Sequence, residues 1–450
     1  MDDRSTASLW RLAAYSLPAI GLAMLTGPIL VFLPNYYATE IGLSLGAVGG
    51  VFFLARCWDA VSDLMVGVAS DKTRSRWGRR APWVALGAPV LCLAVYMVCL
   101  PPDGVGTLYL LVCLVAVYTA WTAVQIPYTA WGAAISNDYK IRSRVFGLRE
   151  ACTVIGSLAT VVVPFLVTGV PSPPLDQVIA IIGIAVIGVL VAAIPLALAF
   201  GPPARLEPPA TSGAWQAIRR LPRNAPFLRS LAINLLFTSS LMTFTAGILF
   251  YLNAVLELEE VFLQLLLLQQ LATIASVPGV LWLADRLGRH RALAAGCLGV
   301  GGGFLALAIV PAGVFLPAAA ALVVVGCSAG ALFVLMPSLA ADAIDYGAVR
   351  GLGAQGGLYM SVFSLVSKAA TAAAIGVALP ALQAAGFDPR APATPEGAQA
   401  LRTICLFLPC GLLAVGGVVA WTHPLSRQRH DLIVRRLERL RRRAGVAAAG

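Results

Sequence analysis

The chain has 450 residues, of which 59% are hydrophobic and only 12% are charged, and its mean hydropathy is +0.84. A water-soluble fold of this length has too little interior to hide so much apolar surface, so the composition excludes a soluble globular protein. The net charge of +11 has the sign of a nucleic-acid-binding protein. The basic residues, however, gather in alternate loops, which indicates membrane topology and no nucleic-acid partner.

Apolar segments long enough to cross a bilayer recur along almost the whole sequence, and each such span needs about 20 residues. We place twelve predicted spans at residues 12–37, 43–69, 82–101, 106–136, 146–170, 176–200, 227–255, 261–283, 292–313, 315–341, 357–384 and 400–422. None of them alternates apolar and polar residues with a period of two, so helices are predicted and barrel strands are not. The first segment is too long for a signal-peptide core and is interpreted as a retained span. The expected fold class is an all-α membrane protein.

The loops between the predicted spans alternate in charge. One set is basic and contains Lys72, Arg74, Arg76, Arg79, Arg80, Lys140, Arg142, Arg144, Arg205, Arg219, Arg220, Arg223, Arg286, Arg289 and Arg291. The other set is acidic or neutral and contains Glu40, Asp103, Asp176, Glu257, Glu259 and Glu260. By the positive-inside rule we expect a multi-pass protein of the bacterial inner membrane with both termini in the cytoplasm.

A segment rich in Pro and Arg divides the spans into two groups of six. We predict an N-terminal six-helix half at 1–200, a cytoplasmic linker at 201–226, a C-terminal six-helix half at 227–422 and a basic cytoplasmic tail at 423–450. Leu and Ile recur at helical spacing in the tail, which is typical of an amphipathic helix lying on the inner leaflet.

The two halves share a loop sequence at matching positions. SDKTRSRWGRR follows the second span at 70–80 and ADRLGRHR follows the eighth at 284–291, so each half has an Asp, basic residues and a Gly there. This repeat indicates a duplicated six-helix unit. We predict that these loops form a cytoplasmic gate through ion pairs with neighbouring helix ends, and the alternative is that they are only topological anchors. The candidate gate residues are Asp71, Arg74, Arg76, Asp285, Arg286 and Arg289.

Three charged residues, Arg56, Asp59 and Asp63, lie inside the second predicted span. A charge within a span costs about 2.5–3.5 kcal/mol on insertion scales, so each one needs a compensating interaction. Their spacing puts all three on one face of a helix, near the middle of the membrane. Two carboxylates one turn apart repel when both are ionised, and a bound cation relieves that repulsion. We therefore predict a Na⁺ or H⁺ site at Asp59 and Asp63, with Ser62 and Thr122 as further oxygen ligands.

Lys368 is the only lysine in a predicted span, since Lys72 and Lys140 lie in loops. An unpaired ammonium in a membrane is costly, so its expected partners are the second-span carboxylates, across the interface between the halves. A static salt bridge is an alternative interpretation, as is a simple buried strut between Arg56 and Asp59.

The fourth span combines aromatic and polar residues. Trp121, Gln125 and Tyr128 share a helix face by their spacing, which suits a cavity for a polar, uncharged solute. The alternative is that these aromatic residues only pack or form part of an interface belt. Arg149, near the start of the fifth span, is predicted either to close this cavity from the cytoplasmic side or to anchor the helix end.

No metal-binding motif is found. Nine cysteines lie in predicted spans without a C-x-x-C pair, the three histidines lie at or beyond helix ends, and H-E-x-x-H does not occur. We expect neither an enzyme nor a bound cofactor, and no metal other than a coupling Na⁺.

Eight short sequences are informative when taken together, namely RCWDAVSD at 56–63, TRSRWG at 73–78, PW at 82–83, IPY at 126–128, ADAIDY at 341–346, LY at 358–359, GFDP at 386–389 and HPL at 423–425. They resemble the glycoside-pentoside-hexuronide:cation symporter family, the melibiose-permease branch of the major facilitator superfamily. The resemblance extends over essentially the whole chain and implies the major facilitator fold of two six-helix halves.

The resemblance also implies roles for individual residues. Asp59 and Asp63 match the family's cation-binding carboxylates, and Thr122 matches a further cation ligand. Ser62 stands where the melibiose permease has an Asn, and Lys368 matches the lysine between the halves. At the two places where the permease uses aspartates to hold sugar hydroxyls, this chain has Ala23 and Gln125.

The function expected from the sequence is cation-coupled symport of a small solute, with sugars and glycosides among the candidates. Because the sugar-binding carboxylates are absent, a lipid or lysolipid carrier of the same fold is an alternative. A non-transporting membrane sensor is a second alternative. The expected partners are a small-molecule solute and membrane lipids, and the expected oligomeric state is a monomer.

Overall fold

The computed structural model describes residues 8–135, 139–170, 173–203, 221–350 and 356–425, and these residues form helices and no strand. The first six helices are α1 (Leu9–Thr39), α2 (Leu45–Lys72), α3 (Ala81–Cys99), α4 (Thr107–Ala133), α5 (Tyr139–Thr168) and α6 (Leu175–Phe200). The other six are α7 (Ala225–Ala254), α8 (Phe262–Ala275 continued by Val277–Leu287), α9 (Arg289–Ala308), α10 (Phe315–Val349), α11 (Gly356–Ala384) and α12 (Pro395–Trp421). Most of the predicted linker and tail, at 204–220 and 426–450, lies outside the described residues.

The prediction of an all-α fold is confirmed, and each predicted span corresponds to one of the twelve helices. Ten of the described helices are long and apolar enough to cross a membrane, and the two parts of α8, bent by 44°, add an eleventh when counted as one span. α2 is also long, with 28 residues, but it carries Arg56, Asp59 and Asp63. α2 is the one predicted span that is not among these eleven helices of the described chain.

Two helices extend beyond their predicted bounds. α10 continues to Val349 although its predicted span ends at 341, and α5 begins at Tyr139 although its span begins at 146. Hydropathy marks where the apolar stretch ends. A helix needs only its internal backbone hydrogen bonds to continue, so it runs on through charged residues into water.

The helices of the two halves pack in equivalent ways. In the N-terminal half α1 contacts α5 and α6, α3 contacts α4 and α6, and α2 contacts α4. In the C-terminal half the same five pairs occur six helices later: α7 with α11 and α12, α9 with α10 and α12, and α8 with α10. This equivalence is what a duplicated six-helix unit would produce.

The contacts between the halves follow the same symmetry. α2 packs against α11, and α5 packs against α8, which are equivalent pairs. α2 also contacts α4 within its own half. The charged residues of α2 are therefore placed between the two halves, where a relative movement of the halves would change their surroundings.

The helix order defines two ends of the bundle. The basic end carries the α2–α3 and α8–α9 loops, with the arginines that follow Lys72 and Asp285. The acidic end carries the α1–α2, α3–α4 and α7–α8 loops, with Glu40, Asp103 and Glu257. The charge alternation seen in the sequence is thus a separation of charge between opposite ends of one molecule.

Candidate functional site

The charged residues of α2 form a cluster with Lys368 of α11. The Lys368 Nζ lies 2.9 Å from Asp59 Oδ2 and also contacts Asp63 Oδ2. The Arg56 Nη1 donates to Asp59 Oδ2 at 3.2 Å. The positive charges of one ammonium and one guanidinium balance the negative charges of two carboxylates, so the cluster is neutral without any bound ion.

Two hydroxyl groups adjoin the carboxylates. Thr122 Oγ1, on α4, lies 2.9 Å from Asp63 Oδ1 and 3.3 Å from Asp59 Oδ1. Ser62 Oγ donates to the main-chain oxygen of Asp59 at 3.0 Å and lies 3.5 Å from Thr122 Oγ1. The structure thus brings together all four residues predicted to bind a cation. Carboxylate and hydroxyl oxygens are the ligands that hard cations prefer.

The members of the cluster differ in exposure. Asp59 is only 2% exposed, whereas the side chains of Lys368 and Asp63 are 22% and 27% exposed. An incoming ion therefore meets Asp63 and Lys368 before it reaches Asp59. The deep carboxylate, moreover, is the one that two cations already contact.

Arg56 is held by an aromatic residue that was not among the predicted site residues. Its guanidinium lies 4.5 Å from the centre of the Tyr118 ring, on α4. The Arg56 Nε and the Tyr118 hydroxyl are both buried and have no hydrogen-bond partner among the residues that the structure describes. The Arg56–Asp59 pair fits the interpretation of a strut. Asp63 is not explained in that way, because its cationic partner comes from the other half.

The residues predicted to contact a solute lie along α4 and beside it. Trp121 and Gln125 are partly buried, and the Gln125 Oε1 is buried without a hydrogen-bond partner. Arg149 Nη1 lies 3.4 Å from Thr129 Oγ1, one helical turn from Gln125. No carboxylate within the described ranges forms an ion pair with Arg149. Arg149 thus already contacts Thr129 and the Phe146 ring, 5.3 Å from its guanidinium, whereas the buried Gln125 Oε1 lacks a partner in the described part of the chain.

Tyr128 and Ala23 occupy packing positions. Tyr128 is 1% exposed, its ring stacks on Tyr15 with centroids 4.8 Å apart, and its hydroxyl donates to the Tyr15 main-chain oxygen at 2.8 Å. Ala23 lies where α1 meets α5, and a Cβ on Gly156 would come within 2.9 Å of its own Cβ. In this conformation Tyr128 therefore presents no surface to a solute, in contrast to the prediction from its spacing.

The predicted gate residues lie at the basic end. Arg289 Nη1 donates to both carboxylate oxygens of Asp342, on α10, at 2.6 and 2.7 Å, within its own half. Arg286 stacks on Trp282 at 4.4 Å and Arg76 on Trp77 at 5.4 Å. Arg74 and Asp285 are exposed, and the side chain of Asp71 lies outside the described set. Arg289 thus links the start of α9 to α10 by an ion pair.

The halves are joined at the acidic end by contacts that no prediction included. Gly46 N, in the first turn of α2, donates to Gln383 Oε1 of α11 at 2.5 Å. Arg390 Nε donates to the Ala38 oxygen at 3.1 Å. A Cβ on Gly49 would lie 2.7 Å from Pro380 Cδ, so α2 and α11 approach closely there. We call these contacts the acidic-end seal.

Removing Gln383 is expected to loosen the acidic-end seal. The Gly46 amide belongs to the helix start, where N–H groups lack partners within the helix, and Gln383→Ala takes away its acceptor. One hydrogen bond contributes about 1 kcal/mol, so amide exchange over Leu45–Val48 should accelerate about fivefold. Hydrogen–deuterium exchange measured by mass spectrometry checks this. Gln399→Ala, an exposed glutamine at the same end, should leave exchange there unchanged, and equal exchange in both variants would contradict the assignment.

Known proteins resemble the chain over nearly its full length. The family described as MFS/sugar transport protein matches residues 14–427. The glucuronide carrier protein homolog of Escherichia coli is 26% identical over 438 residues, which cover 94% of each chain. The sodium-dependent lysophosphatidylcholine symporter 1 of Homo sapiens is 23% identical over 87% of this chain and 78% of its own.

The fold is also similar to that of a solved structure. The crystal structure of nucleoside transporter NupG superimposes with a TM-score of 0.69 at 12% identity, covering 92% of this chain and 99% of that one. At this level of identity the likeness concerns the fold, two packed groups of membrane helices, and leaves the ligand open.

Proposed function

Because the chain belongs to the MFS/sugar transport family, in its glycoside-pentoside-hexuronide:cation symporter branch, we propose that it moves a small solute across the membrane by cation-coupled symport. The observation that carries this proposal is the placement of two α2 carboxylates on the Lys368 ammonium of the opposite half. An ion that competes with Lys368 for these carboxylates changes the contact between the halves. Coupling of ion and solute movement requires that ion binding change how the two halves are held together.

In the proposed mechanism Lys368 is the counter-ion of the empty carrier. A cation that binds the Asp59 and Asp63 oxygens, with Thr122 as a neutral ligand, displaces the ammonium from at least one carboxylate. The empty and loaded forms then differ in how α2 and α11 are held together. Reorientation of the halves exposes the site to the other side of the membrane, where the cation leaves and Lys368 returns.

We propose Na⁺ as the coupling ion. The cluster offers carboxylate and hydroxyl oxygens within one small volume, as a hard monovalent ion requires, and one relative is named as a sodium-dependent symporter. H⁺ is the alternative, since protonation of Asp63 would also weaken its pair with Lys368.

For the solute we propose a molecule with a neutral or negatively charged polar group. At the positions of the family's sugar-binding carboxylates stand Ala23 and Gln125, and the Arg149 guanidinium lies nearby, against Thr129. A lysolipid carrier is the second candidate function. It is favoured by this loss of carboxylates and by the relative named for lysophosphatidylcholine.

The charge separation between the two ends supports an orientation. We propose that the basic end faces the cytoplasm, which places both termini there. The acidic end, with its seal, then faces the outside. We further propose that the protein is a monomer and has no enzymatic activity.

The proposal is tested by combining binding with flux. Thermal stability of the purified protein is measured across sugars, glucuronides and lysolipids, each with Na⁺ or with an equal concentration of choline chloride. A ligand that stabilises the protein only with Na⁺ is then tested for uptake into proteoliposomes under an inward Na⁺ gradient. Faster uptake under the gradient is expected, and a ligand that binds but is never accumulated under any ion gradient would favour a sensor instead.

A further inference from the structure

We propose that the acidic end holds a second cation-binding site, separate from the Asp59–Asp63 cluster. A cavity of about 920 Å³ opens there between the halves. The residues of its wall used below are Asn35, Glu40, Asn253, Glu257, Glu259 and Glu260. We call this cavity the acidic vestibule.

The charge around the acidic vestibule is strongly one-sided. The loops and helix starts of this end carry eight carboxylates, namely Glu40, Asp103, Asp176, Glu257, Glu259, Glu260, Asp388 and Glu396. Two arginines, Arg390 and Arg402, oppose them. A concave surface lined by one sign of charge concentrates ions of the opposite sign.

Two amide side chains in the wall point to a ligand independently of charge. Asn35, on α1, is only 4% exposed, and its side chain makes no hydrogen bond within the described ranges. Asn253, at the end of α7, has a buried Oδ1 that also lacks a partner. A buried polar group without a partner is destabilising, and amide oxygens are good ligands for hard cations. An ion in the acidic vestibule would give the Asn35 amide a partner.

The size and arrangement of the wall indicate how the ion is held. No three acidic residues among the described ones stand close enough to chelate a metal ion. The volume also far exceeds that of one bare ion. The site therefore suits a monovalent cation that keeps much of its water and exchanges rapidly.

The position of the acidic vestibule gives it a role in the transport cycle. Asn35 and Glu40 belong to one half, and Asn253 and Glu257 belong to the other. Separation of the halves at this end would therefore release the held ions between them, toward Asp63. This role rests on the proposed function, whereas binding in the acidic vestibule does not.

The test is a measurement of Na⁺ binding by ²³Na nuclear magnetic resonance line broadening on the purified full-length protein. Glu40→Gln with Glu260→Gln removes two charges from the wall. Asp103→Asn with Glu396→Gln removes two charges from the same end without touching the wall, and serves as the matched control. Both pairs of substitutions are measured in the wild-type protein and in Asp63→Asn. Na⁺ binding at the Asp59–Asp63 cluster is thereby distinguished from Na⁺ binding in the acidic vestibule.

The wall variant keeps half of the wall glutamates. It should therefore reduce the ²³Na line broadening that comes from the acidic vestibule about twofold, and by the same amount in the wild-type and Asp63→Asn proteins. The control pair should leave it unchanged, and Asn35→Ala should also reduce it. Equal broadening in the wall and control variants would overturn the site. If choline removes the broadening at a concentration where K⁺ does not, the acidic vestibule binds organic cations and the assignment to an inorganic ion is overturned. A failure of solute uptake alters none of these readings.

Discussion

Replacing Asp63 with Asn is expected to abolish cation-driven accumulation of the solute while leaving the protein folded. Asp63 contacts Lys368 and Thr122 and is 27% exposed, so its neutral form still accepts hydrogen bonds and meets water. The cluster then keeps Arg56 and Lys368 against Asp59 alone and carries a net positive charge. A carboxylate about 4 Å from an ion contributes about 4 kcal/mol at an effective dielectric constant near 20, so cation affinity should fall at least about 100-fold.

The measurement is uptake into proteoliposomes with and without a cation gradient, together with cation-dependent thermal stability. Asp103→Asn, at an exposed carboxylate of the acidic end, is the control and should behave as wild type. Asp59 is a poorer choice for this experiment. It is 2% exposed and bound by both cations of the cluster, so its loss leaves buried charge unpaired and endangers folding. Gradient-driven uptake that persists in Asp63→Asn would remove the carboxylate pair from the coupling mechanism.

The charged cluster was predictable because membrane burial makes every charge costly. Arg56, Asp59 and Asp63 lie three and four residues apart in an otherwise apolar stretch, which fixes their common helix face. Lys368 could be assigned to them by charge balance alone, since the other lysines, Lys72 and Lys140, lie outside the predicted apolar spans. Charge balance does not predict individual contacts. The structure shows that the ammonium contacts both carboxylates.

Packing and main-chain contacts were not predictable in the same way. The spacing of Tyr128 gives its helix face but not the neighbour that covers it. That neighbour is Tyr15, and it fits only because Gly132 has no side chain in its place. The acidic-end seal uses the main-chain atoms of Ala38 and Gly46, which every residue type possesses. Such partners leave no signal in one sequence.

Replacing Lys368 with Gln is expected to have the opposite effect on the cation site. The variant leaves Asp59 and Asp63 against Arg56 alone, so the empty cluster carries a net negative charge. It also removes the ammonium that lies 2.9 Å from Asp59 Oδ2 and competes with an incoming ion. By the same Coulomb estimate, apparent cation affinity should rise at least about tenfold, measured as the cation concentration that gives half-maximal thermal stabilisation.

Transport by the Lys368→Gln variant should separate into two behaviours. Net uptake should be lost, because the empty carrier must return across the membrane with an uncompensated negative charge, which is costly in a low-dielectric setting. Exchange of labelled for unlabelled solute should persist when cation and solute are present on both sides, since only loaded forms then move. Lys368→Arg keeps the charge and should retain a cation affinity near that of wild type. If Lys368→Gln instead binds the cation as wild type does, Lys368 is a static salt bridge, and the ion does not compete with it for the carboxylates.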